Sequence, residues 1–218
     1  VRRWDTAALS YDGTAQRYER FSASAALVPG ESLLLGDARW QIHAAPGHDA
    51  KSIILYCPAH RLLVSADVLW ETGFGVIFPE LSGDSGFAEQ QAMLDLIEGL
   101  DVACVLPGHG PAFGDVARAL ERARSRLAAL RADPTRNARH ALKVMIKYLM
   151  LDLESIEFEV LAQRVGRASV LCRAADQIGM SIGAAFEWAL DELVKQGALG
   201  REGGRIVKPG RRGLFRRM

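Results

Sequence analysis

Val102-Ala103-Cys104-Val105-Leu106-Pro107-Gly108-His109-Gly110 is an apolar run that stops at a proline–glycine turn and sets a histidine just beyond it. A short uninterrupted apolar run bounded by turn residues reads as a buried strand. The same design occurs twice more. Residues 40–44 lead through Ala45-Pro46-Gly47 to His48, and residues 62–66 end on Asp67. Strand ends on one edge of a sheet converge, and rigid turns hold their side chains at fixed geometry. Two imidazoles and a carboxylate suit Zn²⁺ or a related divalent ion. Singly, each is an ordinary turn or cap residue; the ordered triple is harder to explain that way.

Upstream of that strand, residues 32–35 and 40–44 are apolar runs joined by Gly36-Asp37, a hairpin signal. Residues 52–57 and 62–66 form a second pair around Pro58-Ala59-His60-Arg61. Residues 86–100 carry Met93, Leu94, Ile97 and Leu100 at helical spacing, which places a helix before the strand at 102–106. The order β-β-β-β-α-β is that of a sheet covered by helices. Beyond it, Asp115 caps a helix running to about Arg131, where Asp133-Pro134 ends it. Helices follow at 136–151, 157–165, 169–178 and 181–196, the last capped by Ser181, and then a hairpin on Gly203-Gly204. Helices ending in a helix and hairpin predict a winged-helix-like module. The expected division is 1–133, 134–208 and a basic tail at 209–218.

The chain has 218 residues, 49% hydrophobic and 24% charged, enough to bury a core. A disordered chain, a collagen-like repeat and a disulfide-stapled miniprotein are excluded. The formal charge is +1, with four arginines (Arg211, Arg212, Arg216, Arg217) among the last eight residues; setting those four aside leaves −3. No apolar run approaches the roughly 18–20 residues that span a bilayer, so no membrane partner is expected. Cys57, Cys104 and Cys172 are odd in number and far apart, which reads as reduced thiols in a cytoplasmic protein.

Ala45-Pro46-Gly47-His48, then Ser65-Ala66-Asp67, then Leu106-Pro107-Gly108-His109-Gly110 resemble the later motifs of the metallo-β-lactamase superfamily. The resemblance covers roughly Trp4–Arg131, and the helical remainder is similar to the extension of members related to glyoxalase II and LACTB2-type hydrolases. It implies an α/β fold: part of an αβ/βα sandwich, then the winged-helix-like domain. It also implies that His48 ligates a first metal, His109 a second, and that Asp67 bridges them. The implied cofactor is two divalent ions, zinc first, with manganese or iron compatible with the same ligands. The implied activity is hydrolysis of an ester, thioester or phosphodiester of a small-molecule substrate by a hydroxide held between the metals.

Three departures from the family pattern matter. The threonine common after Gly-His is Asp49, and the glycine usual before the bridging aspartate is Ala66. The first signature, His-x-His-x-Asp-His, has no counterpart, because the first histidine is His43. The expectation is therefore the C-terminal portion of a longer hydrolase, inactive as the chain stands, with Val1 an internal start. The rival expectation is a natural member that has lost its metal site.

Trp70, Phe74 and Phe78 follow Asp67 and line a substrate pocket, cap the core or make a dimer contact, while Gly73 and Gly75 indicate a mobile or tightly turned loop. An inward role for His43 is a minor reading; His60 and His140 read as solvated. A second function class is a nucleic-acid- or protein-binding winged helix beside a vestigial hydrolase half. The helix at 181–196 carries Glu187, Asp191 and Glu192 against Lys195, an acidic face that argues against nucleic acid. The module therefore reads as a packing element, with a homo-oligomer left open.

Overall fold

Five strands form one sheet in the order β1-β2-β3-β4-β5: Ser32–Leu35, Ala38–Ala44, Ile53–Cys57, Leu62–Ala66 and Cys104–Pro107. This architecture is that of a computed structural model, which describes residues 25–151 and 153–209. The described residues fall into two compact units, 25–134 and 135–209. Tail arginines Arg211, Arg212, Arg216 and Arg217 lie outside the described residues.

Within the first unit, β1 to β4 pair antiparallel and β4 pairs parallel to β5. β2, β4 and β5 therefore run in the same direction. Their C-terminal ends share one edge of the sheet, and His48, Asp67 and His109 each follow one of those ends. The parallel step needs a crossover, supplied by α1 (Phe78–Leu81) and α2 (Phe87–Gly99). One sheet face, with Ile54, Tyr56, Leu63 and Val105, packs against Leu94 and Ile97 of α2 and Ala123 and Leu127 of α3 (Val116–Ala132). The Asp115 carboxylate accepts from the Arg118 N–H at 3.2 Å and caps α3 as expected. The other face is also apolar, with Trp40, Ile42, Leu55 and Val64, so these strands read as continuous apolar runs.

The second unit contains α4 (Thr135–Leu149), α5 (Phe158–Arg167), α6 (Ser169–Gln177) and α7 (Ile182–Lys195). Its three-stranded sheet has the order β6-β8-β7: Ser155–Glu157, Arg205–Val207 and Gly200–Glu202. α4 buries Ala138, Ala141, Leu142, Met145, Ile146 and Leu149 along one stripe, and α7 buries Phe186, Leu190 and Leu193. Ser181 Oγ accepts from the Ala184 N–H, the expected N-cap. Both Gly203 and Gly204 have positive φ, as a two-residue hairpin turn requires. α1 and β6 are additions to the sequence reading. The three cysteines are free thiols; Cys57 is buried, while Cys104 and Cys172 are partly exposed. Among the described residues no helix is long and apolar enough to cross a membrane.

Candidate metal centre

The sheet edge brings the three candidate ligands together around Asp67. Its Oδ2 lies 3.4 Å from His48 Nε2, and its Oδ1 lies 3.7 Å from His109 Nε2. Each carboxylate oxygen thus faces a different imidazole. Among the described residues no three His, Cys, Asp or Glu side chains gather closely enough to hold a single ion. The grouping is two His–carboxylate pairs that share one aspartate.

Neighbouring groups fix the orientation of these side chains. His48 Nδ1 is 2.6 Å from the Val76 carbonyl oxygen, which can only accept, so Nδ1 carries the proton. Nε2 then presents its lone pair toward Asp67. This arrangement is the usual outer-shell support of a metal-binding histidine. The Trp70 indole N–H donates to Asp67 Oδ1 at 3.1 Å, and the Trp70 ring stands edge-on to His109 with centroids 5.0 Å apart. Phe78 makes the matching edge contact with His48 at 5.2 Å. Phe74 has no exposed surface and lies in the core with the Arg126 guanidinium over its ring. Of the roles open to Phe74, core packing is the one its burial supports. Burial without a nearby anion lowers the Arg126 pKa from its ordinary value.

Backbone close approach explains the local glycines. A Cβ on Gly108 would lie 2.6 Å from Asp67 Oδ1, and one on Gly75 would lie 2.5 Å from His48 Nδ1. Gly75 therefore serves as the packing floor under His48 and Asp67, and its N–H donates to the Asp67 carbonyl at 2.9 Å. Gly47 approaches Gln90 in the same manner. Gln90 is buried, donates from Nε2 to the Val68 carbonyl at 2.8 Å, and leaves Oε1 without a partner. Ala66 adopts φ +47 immediately before Asp67. That left-handed conformation accounts for the glycine common at this position in the related pattern.

Sequence reasoning missed the Val76 carbonyl, the indole bond of Trp70 and Gln90. Carbonyl partners leave no residue-type signal, and a glutamine on an amphipathic helix reads as solvated. His43 lies on β2 away from these pairs; its Nε2 is buried without a partner, and burial lowers its pKa.

Residues 5–109 match the family model described as the Metallo-beta-lactamase superfamily. The chain is 31% identical over 88 residues to the acyl-coenzyme A thioesterase MBLAC2 of Gallus gallus, covering 40% of this chain and 32% of that protein. Among solved structures, a beta-lactamase domain protein from Burkholderia ambifaria aligns with TM-score 0.44 and 20% identity, covering 88% of this chain and 53% of that one. A metallo-beta-lactamase family protein from Thermus thermophilus aligns with TM-score 0.41 and 19% identity, covering 84% and 53%. The chain thus spans about a third of the curated relative's length and about half of these solved chains. Residues 5–109, just under half of the chain, thus carry its likeness to the metallo-β-lactamase superfamily.

Proposed function

We propose that this chain carries part of a dinuclear metal centre for hydrolysis of an ester, thioester or phosphodiester. The observation that carries the reading is the Asp67 carboxylate, with one oxygen toward each of two imidazoles. The donor set fits a divalent ion: His48 Nε2 is freed by the bond of Nδ1 to Val76, and Asp67 is held by Trp70. Bound there, divalent ions would supply Lewis-acid activation of water and stabilise developing negative charge.

In this reading His48 and His109 would each hold one ion, and Asp67 would serve both. Trp70 keeps Oδ1 turned toward His109, while Gly75 and Gly108 let the backbone close beneath the ligands. Trp70 and Phe78, whose ring edges stand against the two imidazoles, would line the entry for substrate. Each pair contributes two protein donors, fewer than the three that a catalytic zinc site usually takes. The proposal therefore includes further ligands from sequence upstream of these 218 residues. Thioesters are the first substrates to test, because the curated relative bears a thioesterase name. We also read residues 134–208 as a winged-helix-like module, on the strength of three helices followed by the β7–β8 hairpin.

The test is metal content by mass spectrometry for the 218-residue chain and for a form extended upstream. About two ions per extended chain, lost on His48→Ala or His109→Ala, is the expected result. Absence of metal in both forms overturns the reading.

A further inference from the structure

α4 carries Arg136, Arg139, Lys143 and Lys147 and no acidic residue. At 100° per residue, positions 136, 143 and 147 fall within about 40° of one another, with 139 just beside them. Arg136, Arg139 and Lys147 are exposed and Lys143 is half-exposed. Among the described residues none of the four takes part in an ion pair; Arg139 donates only to the Thr135 hydroxyl of its own helix at 3.0 Å.

Elsewhere among the described residues of the unit most of the acidic residues of α7 and the sheet are paired, and the other unpaired arginines, Arg164, Arg167 and Arg173, are divided between α5 and α6. Glu187 and Asp191 face Arg201, Glu192 faces Lys195, Glu157 faces Arg205 and Glu154 faces Lys208. The acidic face of α7 is thus partly neutralised by its own hairpin, while the cations of α4 are left uncompensated in a row. The row from 136 to 147 is about 16 Å long, close to five steps of a nucleic-acid duplex at about 3.4 Å each.

We propose that the exposed face of α4 docks the phosphate backbone of a nucleic-acid duplex, a binding activity separate from the hydrolytic reading. The apolar stripe of α4 is already buried within the unit, so the helix has no face left to insert into a bilayer. The ring nearest the row is the half-exposed His140 on the same face, while four cations supply charge along its whole length, which favours paired strands held through their phosphates over bases stacked on a platform of rings. Binding is therefore independent of base sequence and steeply dependent on salt.

The experiment is fluorescence anisotropy of the chain with a labelled DNA duplex of about 20 base pairs over a salt series. Four phosphate contacts predict a slope of log K against log salt of about −3.6. Arg136→Gln/Lys143→Gln/Lys147→Gln removes three of them and should bring the slope to about −1. The charge-matched control Arg164→Gln/Arg167→Gln/Arg173→Gln, on α5 and α6, should keep the parent slope. So should glutamine substitution of the four tail arginines. Lys143→Arg/Lys147→Arg should retain binding, and thermal unfolding should be unchanged in every variant, which separates lost contact from lost fold. The proposal is overturned by equal loss in the control, by loss only in the tail variant, or by absence of duplex binding at low salt. Capture by polyglutamate or anionic vesicles without duplex binding overturns it equally.

Discussion

Gly75→Ala tests whether His48 and Asp67 are held by close packing. The φ of Gly75 lies outside the left-handed region, so alanine meets no backbone strain there and only the space matters. The added Cβ would stand 2.5 Å from His48 Nδ1, 3.0 Å from His48 Cε1 and 3.1 Å from Asp67 Cβ. Relaxing the shortest of these to ordinary contact moves the imidazole by about 1 Å, since carbon contacts settle near about 3.5 Å. The 2.6 Å bond from Nδ1 to the buried Val76 carbonyl cannot survive such a shift. An unpaired buried acceptor costs about 1–3 kcal/mol, and overpacking adds about 1–3 kcal/mol. A loss of about 2–4 kcal/mol follows after partial relaxation. Urea unfolding reads this as a lower midpoint at constant slope. In the metal-binding form the same variant should weaken zinc affinity about 10–100-fold, as outer-shell disruption does. Gly99→Ala, at the end of α2 with no atom near the new Cβ, is the control and should be neutral or slightly stabilising. A Gly75→Ala protein within about 0.5 kcal/mol of its parent, with unchanged metal affinity, would refute the packing argument.

Ala66→Gly should stabilise the fold by about 0.5–1 kcal/mol, because a left-handed alanine costs about 1–2 kcal/mol and glycine returns part of that as chain entropy; a destabilised variant in urea unfolding would contradict the φ of +47. Trp70→Phe keeps the ring edge against His109 but removes the 3.1 Å donor to Asp67, and should cost about 1–2 kcal/mol in the same assay; no change would mean the indole N–H is indifferent. Burial holds the folded His43 pKa below its ordinary value, so the unfolded chain binds more protons and stability falls as pH drops below about 6.5. His43→Gln should flatten that part of the stability-against-pH profile, and an unaltered profile assigns the loss to other groups.

How much of this was legible depends on whether the information is carried by residue type or by strand direction. The runs at β1, β4 and β5 could be read because each is apolar on both faces and ends at a turn residue. Convergence of His48, Asp67 and His109 followed from one assumption, that their strands end on the same edge. The pairing bears this out: β2 and β4 are both antiparallel to β3, and β5 is parallel to β4. Elements too short to show a period stayed hidden. α1 is four residues and β6 is Ser-Ile-Glu, whose pairing with β8 joins positions about fifty residues apart. The loop at 70–78 is tightly turned at Gly73, whose φ is +143 and whose carbonyl accepts from the Trp70 N–H at 2.6 Å. Glycine there reads as freedom of φ, which fits Gly73, yet Gly75 is required because the His48 and Asp67 side chains occupy the space a Cβ would fill. A sequence cannot distinguish a glycine that bends from one that makes room. Ala66 is the converse: a left-handed position filled by a residue that carries a Cβ, so its strain has no signature in the residue type. The charge pattern shows the same limit. The acidic face of α7 was visible from helical spacing, as was its local partner Lys195 at i,i+3 from Glu192, but the pairing of Glu187 and Asp191 with Arg201 of the hairpin is tertiary and has no signature in the spacing.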